Sequence, residues 1–155
     1  MLKENGTVEG IGGTPPLLPH PEHNLSTYRA LSTAIQSGLI QTAHDCSEGG
    51  VGIAVAEMCI GGRLGATIDL DGTGHENLWA RLWGESLGRF VIAVSPEREA
   101  EFIHWMSGHT ITFLGKVVNE ATLTINDGFD QVVSTDVNAM VSSWQAALDM
   151  TGGVE

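Results

Sequence analysis

The chain has 155 residues, enough for one ordinary domain with a two- or three-layered core and short for two. A hydrophobic content of 42% excludes a disordered segment, and 19 Asp and Glu against 7 Lys and Arg give a net charge of -12, which repels phosphodiester backbones and excludes DNA or RNA as a broad-footprint partner. No apolar run reaches the roughly 20 residues that cross a bilayer. The start lacks the blocks of a signal peptide, and the only cysteines are Cys46 and Cys59, so the expectation is a cytoplasmic protein with reduced thiols and no membrane partner.

Residues 1–21 hold Gly6, Gly10, Gly12, Gly13 and Pro15–Pro16 without periodicity and read as an extended arm. From Leu25, the positions Leu25, Tyr28, Leu31 and Ile35 share one helical face, with Asn24 or Ser26 as cap and Gly38 as stop. Leu39–Ala43 is expected as a short apolar strand. A helix over 51–61 carries no charge but Glu57, which predicts a central element buried on much of its circumference. Leu64, Ala66, Ile68 and Leu70 alternate with polar or small residues as in a half-buried strand, ended by the turn at Asp71–Gly74. A short helix near 76–82 carries Trp79 and Trp83 four apart, expected in the core. Phe90–Val94 reads as a strand, and Ser95 is placed to cap a helix that begins at Pro96. Strands are expected over 110–118 and 121–125, joined across Asn119–Glu120, with a second turn at Asp127–Gly128. Asp136 caps a closing helix over 137–149. The alternation predicts an α+β, layered α/β fold: a mixed sheet flanked by helices.

Two glycine-flanked polar junctions carry the candidate chemistry. His44-Asp45-Cys46-Ser47-Glu48-Gly49-Gly50 lies between a strand and the 51–61 helix, where helix amides converge, the glycines allow close approach, and His44, Asp45, Ser47 and Glu48 offer polar groups to a ligand or a metal-linked phosphate. The same residues equally serve as a helix cap with an acidic first turn and a satisfied histidine. Gly84-Glu85-Ser86-Leu87-Gly88-Arg89 is the second junction. Its Glu85 and Ser86 are placed to approach the first across the strand ends, while Arg89 either binds a phosphate or neutralises a carboxylate.

No catalytic residue is assigned. His44, Asp45 and Ser47 crowd one loop too closely for a hydrolytic triad, and Cys46 lacks a nucleophile elbow. No metal ligand set is assigned either, because the cysteines are far apart and the histidines scattered. A stand-alone module binding a small anion or nucleotide fits these junctions as a competing reading.

The stretch TAHDCSEGGVGIAVAEMCIGGRLGATIDL, followed by LWGESLGRFVIAV, resembles the carboxy-terminal half of phosphoribosylformylglycinamidine synthases, in the family shared with aminoimidazole ribonucleotide synthetase. GGTPPLL near the start and STDVNAMVSSWQAAL near the end extend the resemblance over nearly the whole chain. It implies a carboxy-terminal α/β domain over 22–155, with residues 1–21 as the remnant of a truncated domain start. It also implies an ATP- and Mg2+-dependent carbon–nitrogen ligase of purine biosynthesis, which converts formylglycinamide ribonucleotide to the amidine with ammonia from a separate glutaminase domain or subunit.

The implied partners are a phosphorylated ribonucleotide, the missing amino-terminal synthetase domains and the glutaminase. A homo-oligomer is a further possibility, since surfaces otherwise covered by those domains are left open. A fragment of a related ATP-dependent synthetase is the neighbouring alternative. Carried over residue by residue, the implied binding set is His44, Asp45, Ser47, Glu48, Gly49 and Gly50 with Gly84, Glu85, Ser86 and Arg89. Leu87 replaces a Gln common in the family, and Cys46 stands where an aliphatic residue is expected. The isolated chain is expected to be inactive and to require no cofactor of its own.

Overall fold

The structure is a computed structural model that describes residues 21–73 and 77–146. The expected arm lies outside them up to residue 20, as does the end of the closing helix at 147–149. In chain order the elements are α1 (Pro21–Gln36), β1 (Thr42–Asp45), α2 (Gly50–Gly62), β2 (Gly65–Asp69), α3 (Leu78–Trp83), β3 (Phe90–Ala93), α4 (Glu99–Trp105), β4 (Gly115–Val118), β5 (Thr122–Asp127), β6 (Asp130–Asp136) and α5 (Val137–Ala146). The chain divides into two compact units: one of residues up to Ala54 together with Gly72–Phe113, the other of Val55–Asp71 together with the chain from Leu114.

The first unit is built on the antiparallel pair β1–β3, in which His44 lies opposite Val91 and Asp45 opposite Phe90. Its core joins Leu31 and Ala34 of α1, Leu39, Ile40, and Phe102 and Met106 at α4. Each large side chain taken fully out of water contributes about 1.5–3 kcal/mol. Helix α1 starts earlier than its apolar stripe, at Pro21. Ser26 and Thr27 therefore do not cap it; their hydroxyls donate back to the His23 carbonyl at 2.8 and 3.1 Å, as interior helical residues do.

The helix ends where Gly38 predicts. At φ +70°, Gly38 donates to Ile35 O at 3.0 Å and Leu39 donates to Ala34 O at 2.9 Å, the two bonds of a Schellman motif. Leu39 and Ile40 are then buried in the core instead of extending as a strand, and the strand forms three residues later, over Thr42–Asp45. Asn77 caps α3 by accepting from the Trp79 amide at 2.8 Å. Ser95 makes no side-chain cap; a 3-10 turn at Pro96–Arg98 leads into α4 instead.

The tryptophans of α3 depart from expectation. Trp79 is 59% exposed and Trp83 39% exposed. Helical spacing put them on one side of a helix only six residues long, which has little inward face to offer. The Trp83 ring lies over Gly52 of α2, where an added Cβ would come within 2.6 Å of it.

The second unit is the mixed four-stranded sheet in the order β4-β2-β5-β6, with β2 antiparallel to β4 and parallel to β5. Ala66 and Ile68 lie in register with Leu123 and Ile125, and all four are buried, as the alternation of β2 requires. Strands β4 and β5 are consecutive but do not pair; β2 lies between them, so Asn119–Glu120 is not a hairpin turn. The strand expected from Thr110 begins only at Gly115, where a Cβ would collide with the backbone oxygen of Thr67. β6, whose Val132, Val133 and Thr135 were not assigned to a strand, pairs antiparallel with β5. Asp136 caps α5 as expected, accepting from the Ala139 amide at 2.9 Å, and Val137 and Val141 are its buried stripe. The fold class is thus the mixed sheet with flanking helices that the sequence pattern indicates.

A glycine-bordered groove as the candidate functional site

Both polar junctions belong to the first unit, and the β1–β3 register brings them together. β1 leaves the sheet at Asp45 where β3 enters it at Phe90, so 44–50 and 84–89 leave from the same end. Backbone bonds continue the pairing: Cys46 donates to Arg89 O at 3.0 Å.

Gly50 then lets the two segments touch. It sits at φ +62°, and a Cβ there would stand 2.8 Å from Gly84 O and 2.9 Å from Leu82 O. Only glycine tolerates both the left-handed conformation and that approach. Gly84 is fixed in turn: its amide donates to Ala80 O at the end of α3, and a Cβ would collide with that oxygen.

Between them lies a groove of about 860 Å³. His44, Asp45, Ser47 and Glu48 line one side and Glu85, Ser86 and Arg89 the other. Glu85 crosses the gap, its carboxylate accepting from the Gly49 amide at 2.9 Å. An internal carboxylate thus already uses one of the amides expected to await a ligand. Arg89 donates to Gly84 O at 3.4 Å, which ties its guanidinium to the second junction.

His44 Nδ1 is 2.7 Å from Asp45 O, an atom that only accepts, so this nitrogen carries the hydrogen. The same nitrogen stands 3.8 Å from Asp45 Oδ1. The Asp45 carboxyl is held below the ordinary carboxylate value, first by the Ser47 hydroxyl and then by its own backbone amide; desolvation opposes them, and His44 adds the smallest lowering. Cys46 is buried, which pushes its thiol up; Asp45 adds to the rise and the Arg89 charge opposes it.

The third wall was not among the candidate residues. Tyr28, Leu31 and Ile35 of α1, with Leu87 and Phe90, give the groove an apolar side. Tyr28 and Phe90 meet edge to face with centroids 5.7 Å apart. The α1 stripe was the available signal, but it reads as core, and only Leu31 of it is buried; Tyr28 and Ile35 are 39% and 46% exposed.

The groove combines three carboxylates, Asp45, Glu48 and Glu85, with one permanent cation already engaged. Among the described residues no group of three or more His, Cys, Asp or Glu side chains converges as a metal site would. The residues present therefore do not fit a Mg2+–triphosphate by themselves. No described helix is long and apolar enough to cross a membrane.

Residues 9–128 match the family described as AIR synthase related protein, C-terminal domain. The chain is similar to a phosphoribosylformylglycinamidine synthase subunit PurL of Synechocystis sp., with 32% identity over 142 residues; this covers 89% of the chain and 18% of the relative, so the chain spans about a fifth of that protein. Its fold is similar to that of Thermotoga maritima PurL complexed with FGAR, at TM-score 0.69 and 24% identity over 79% of this chain and 21% of that one. For T. maritima PurL complexed with ATP the values are 0.65 and 24% over 73% and 20%. With the family match covering both junctions and most of the length, the chain belongs to the AIR synthase related proteins as a carboxy-terminal domain of that family.

Proposed function

We propose that this chain acts as part of a phosphoribosylformylglycinamidine synthase, supplying one wall of a site that ATP, Mg2+ and a formylglycinamide ribonucleotide share with other domains. The single observation that carries this reading is the convergence of residues 44–50 and 84–89 on one groove, in a chain 32% identical to a PurL subunit. In the complete enzyme, ATP would activate the formyl-amide oxygen and ammonia would replace it, with a glutaminase domain or subunit as the ammonia source and the cytoplasm as the setting.

His44, Asp45, Ser47, Glu48, Gly49 and Gly50 with Gly84, Glu85, Ser86 and Arg89 then bind and orient the nucleotide or ribonucleotide. Their excess of carboxylates favours a ligand that brings a cation or sugar hydroxyls with it over a bare phosphate. Catalysis of this kind depends on donors fixed around the reacting centre from several sides, and one wall does not provide that. The purified chain, assayed for ATP-dependent amidine formation and for glutamine hydrolysis, is expected to produce neither. Turnover that survives rigorous removal of host enzymes overturns the proposal.

A further inference from the structure

Away from the groove, two Asp-Gly pairs meet at one carboxylate. Asp69, the last residue of β2, lies in parallel register with Asn126 of β5, so Asp71–Gly72 and Asp127–Gly128 follow from the same end of the sheet. Asp69 Oδ1 accepts from an amide of each pair, Asp71 at 2.9 Å and Gly128 at 3.0 Å.

These two bonds treat the pairs unequally. At Asp127–Gly128 the held amide is the glycine's, and the pairing of Asp127 with Asp130 pins the backbone further by closing the β5–β6 hairpin. At Asp71–Gly72 the held amide is one residue earlier, that of Asp71 itself. Gly72 sits in an exposed turn at φ +81°, and among the described residues no atom lies within 4 Å of its Cβ position and no hydrogen bond engages its amide.

The amide that follows an aspartate is an internal nucleophile for that side chain. Its nitrogen attacks Cγ of the protonated carboxyl; the N–Cγ bond forms, and the carboxyl hydroxyl leaves as water with the amide hydrogen, giving a succinimide ring. Solvent water then opens the ring. When it adds at the main-chain carbonyl, the bond from that carbon to nitrogen breaks and the chain is left running through Cγ as an isoaspartate, with nothing oxidised or reduced and no net change in composition. A hydrogen bond from the attacking nitrogen to a carboxylate and a backbone fixed in a hairpin both oppose the first step. A glycine amide with no side chain over it and free backbone angles permits it.

We propose that Asp71–Gly72 is a site of spontaneous isoaspartate formation, and that Asp69 protects Asp127–Gly128 from the same reaction. The product inserts a backbone methylene where the chain passes from the second compact unit to the first.

The test incubates the full chain in 18O-labelled water, folded and in urea, and follows 18O uptake and isoaspartate at each pair by peptide mapping, for wild type, Asp69→Ala and Asp71→Glu. In the folded wild type Asp71 should isomerise at least about tenfold faster than Asp127, the factor set by one hydrogen bond to a charged acceptor; in urea the two rates should converge. Asp69→Ala should raise the Asp127 rate several-fold. Asp71→Glu, which would have to close a larger ring, should abolish the signal at 71 and leave Asp127 unchanged. The wild-type comparison needs no substitution and decides the matter even if a variant misfolds. Equal rates at the two pairs in the folded chain, faster reaction at Asp127, no reaction at Asp71 while the unfolded chain reacts, or a folded Asp69→Ala variant whose Asp127 stays as slow would each overturn the proposal.

Discussion

Gly50→Ala is the sharpest test of how the two junctions are joined. The residue sits at φ +62°, where an L side chain costs about 1–2 kcal/mol. The added Cβ would lie 2.8 Å from Gly84 O, 2.8 Å from Trp83 C and 2.9 Å from Leu82 O, all backbone atoms that cannot rotate aside. Overpacking of this kind costs about 1–3 kcal/mol. The sum is a loss of about 2–5 kcal/mol, a large part of the 5–15 kcal/mol typical of a folded domain.

Gly61→Ala in the same helix is the control. Gly61 has no positive φ and nothing within 4 Å of its Cβ position, so alanine there should stabilise by about 0.5–1 kcal/mol. Urea unfolding followed by far-UV circular dichroism, with wild type alongside, measures both. A Gly50→Ala loss below about 1 kcal/mol, or a Gly61→Ala effect of the same sign and size, would refute the account of the junction.

Three further outcomes follow from the same structure. Cys46 and Cys59 are both buried and their thiols are pushed up, so the neutral forms contribute stability that is complete below the unfolded thiol pKa and lost as pH rises through the raised folded value; thermal melts should fall on the alkaline side, above about pH 8.5, and a Cys46→Ala, Cys59→Ala double variant should flatten that fall. The depressed Asp45 carboxyl acts in the opposite direction, favouring the folded chain above its unfolded pKa and losing that as pH falls through the folded value; Ser47→Ala should move its midpoint up toward the ordinary carboxylate value in a carboxyl-carbon NMR titration, and an unmoved midpoint contradicts the assigned cause. Exposed Tyr28, Ile35 and Leu87 beside the groove favour self-association, so the mass from light scattering should rise with concentration, and a constant monomer mass contradicts that.

What could be read in the sequence was local chemistry. Gly38 and Asp136 each name their structure because the αL stop and the Asx cap need nothing beyond a few neighbouring residues. The run of α2, whose one charge is Glu57, likewise announced burial, and Val51, Ala54, Val55 and Cys59 are buried.

Failures came where a distant partner decides. Leu39–Ile40 is apolar enough for a strand but is drawn into the α1–α4 core. β4 and β5 look like a hairpin because nothing local shows that β2 lies between them. At the groove, the junctions and their glycines were legible because only glycine fits such approaches. The Glu85–Gly49 bond spans 36 residues, and its geometry comes from the β1–β3 register. The apolar wall was hidden for a different reason: a helical stripe has the same pattern whether it faces a core or a crevice.

The central claim is that 44–50 and 84–89 form one ligand-binding wall. It is tested most directly by following backbone amide shifts of the 15N-labelled chain during titration with a purine ribonucleotide and with inorganic phosphate, each with and without Mg2+. The account predicts weak, salt-sensitive binding, with the largest shifts in residues 44–51 and 84–89, greater for the ribonucleotide with Mg2+ than for phosphate alone, and lost in a folded Gly50→Val variant. Specific shifts centred elsewhere, and unchanged by that substitution, would contradict it.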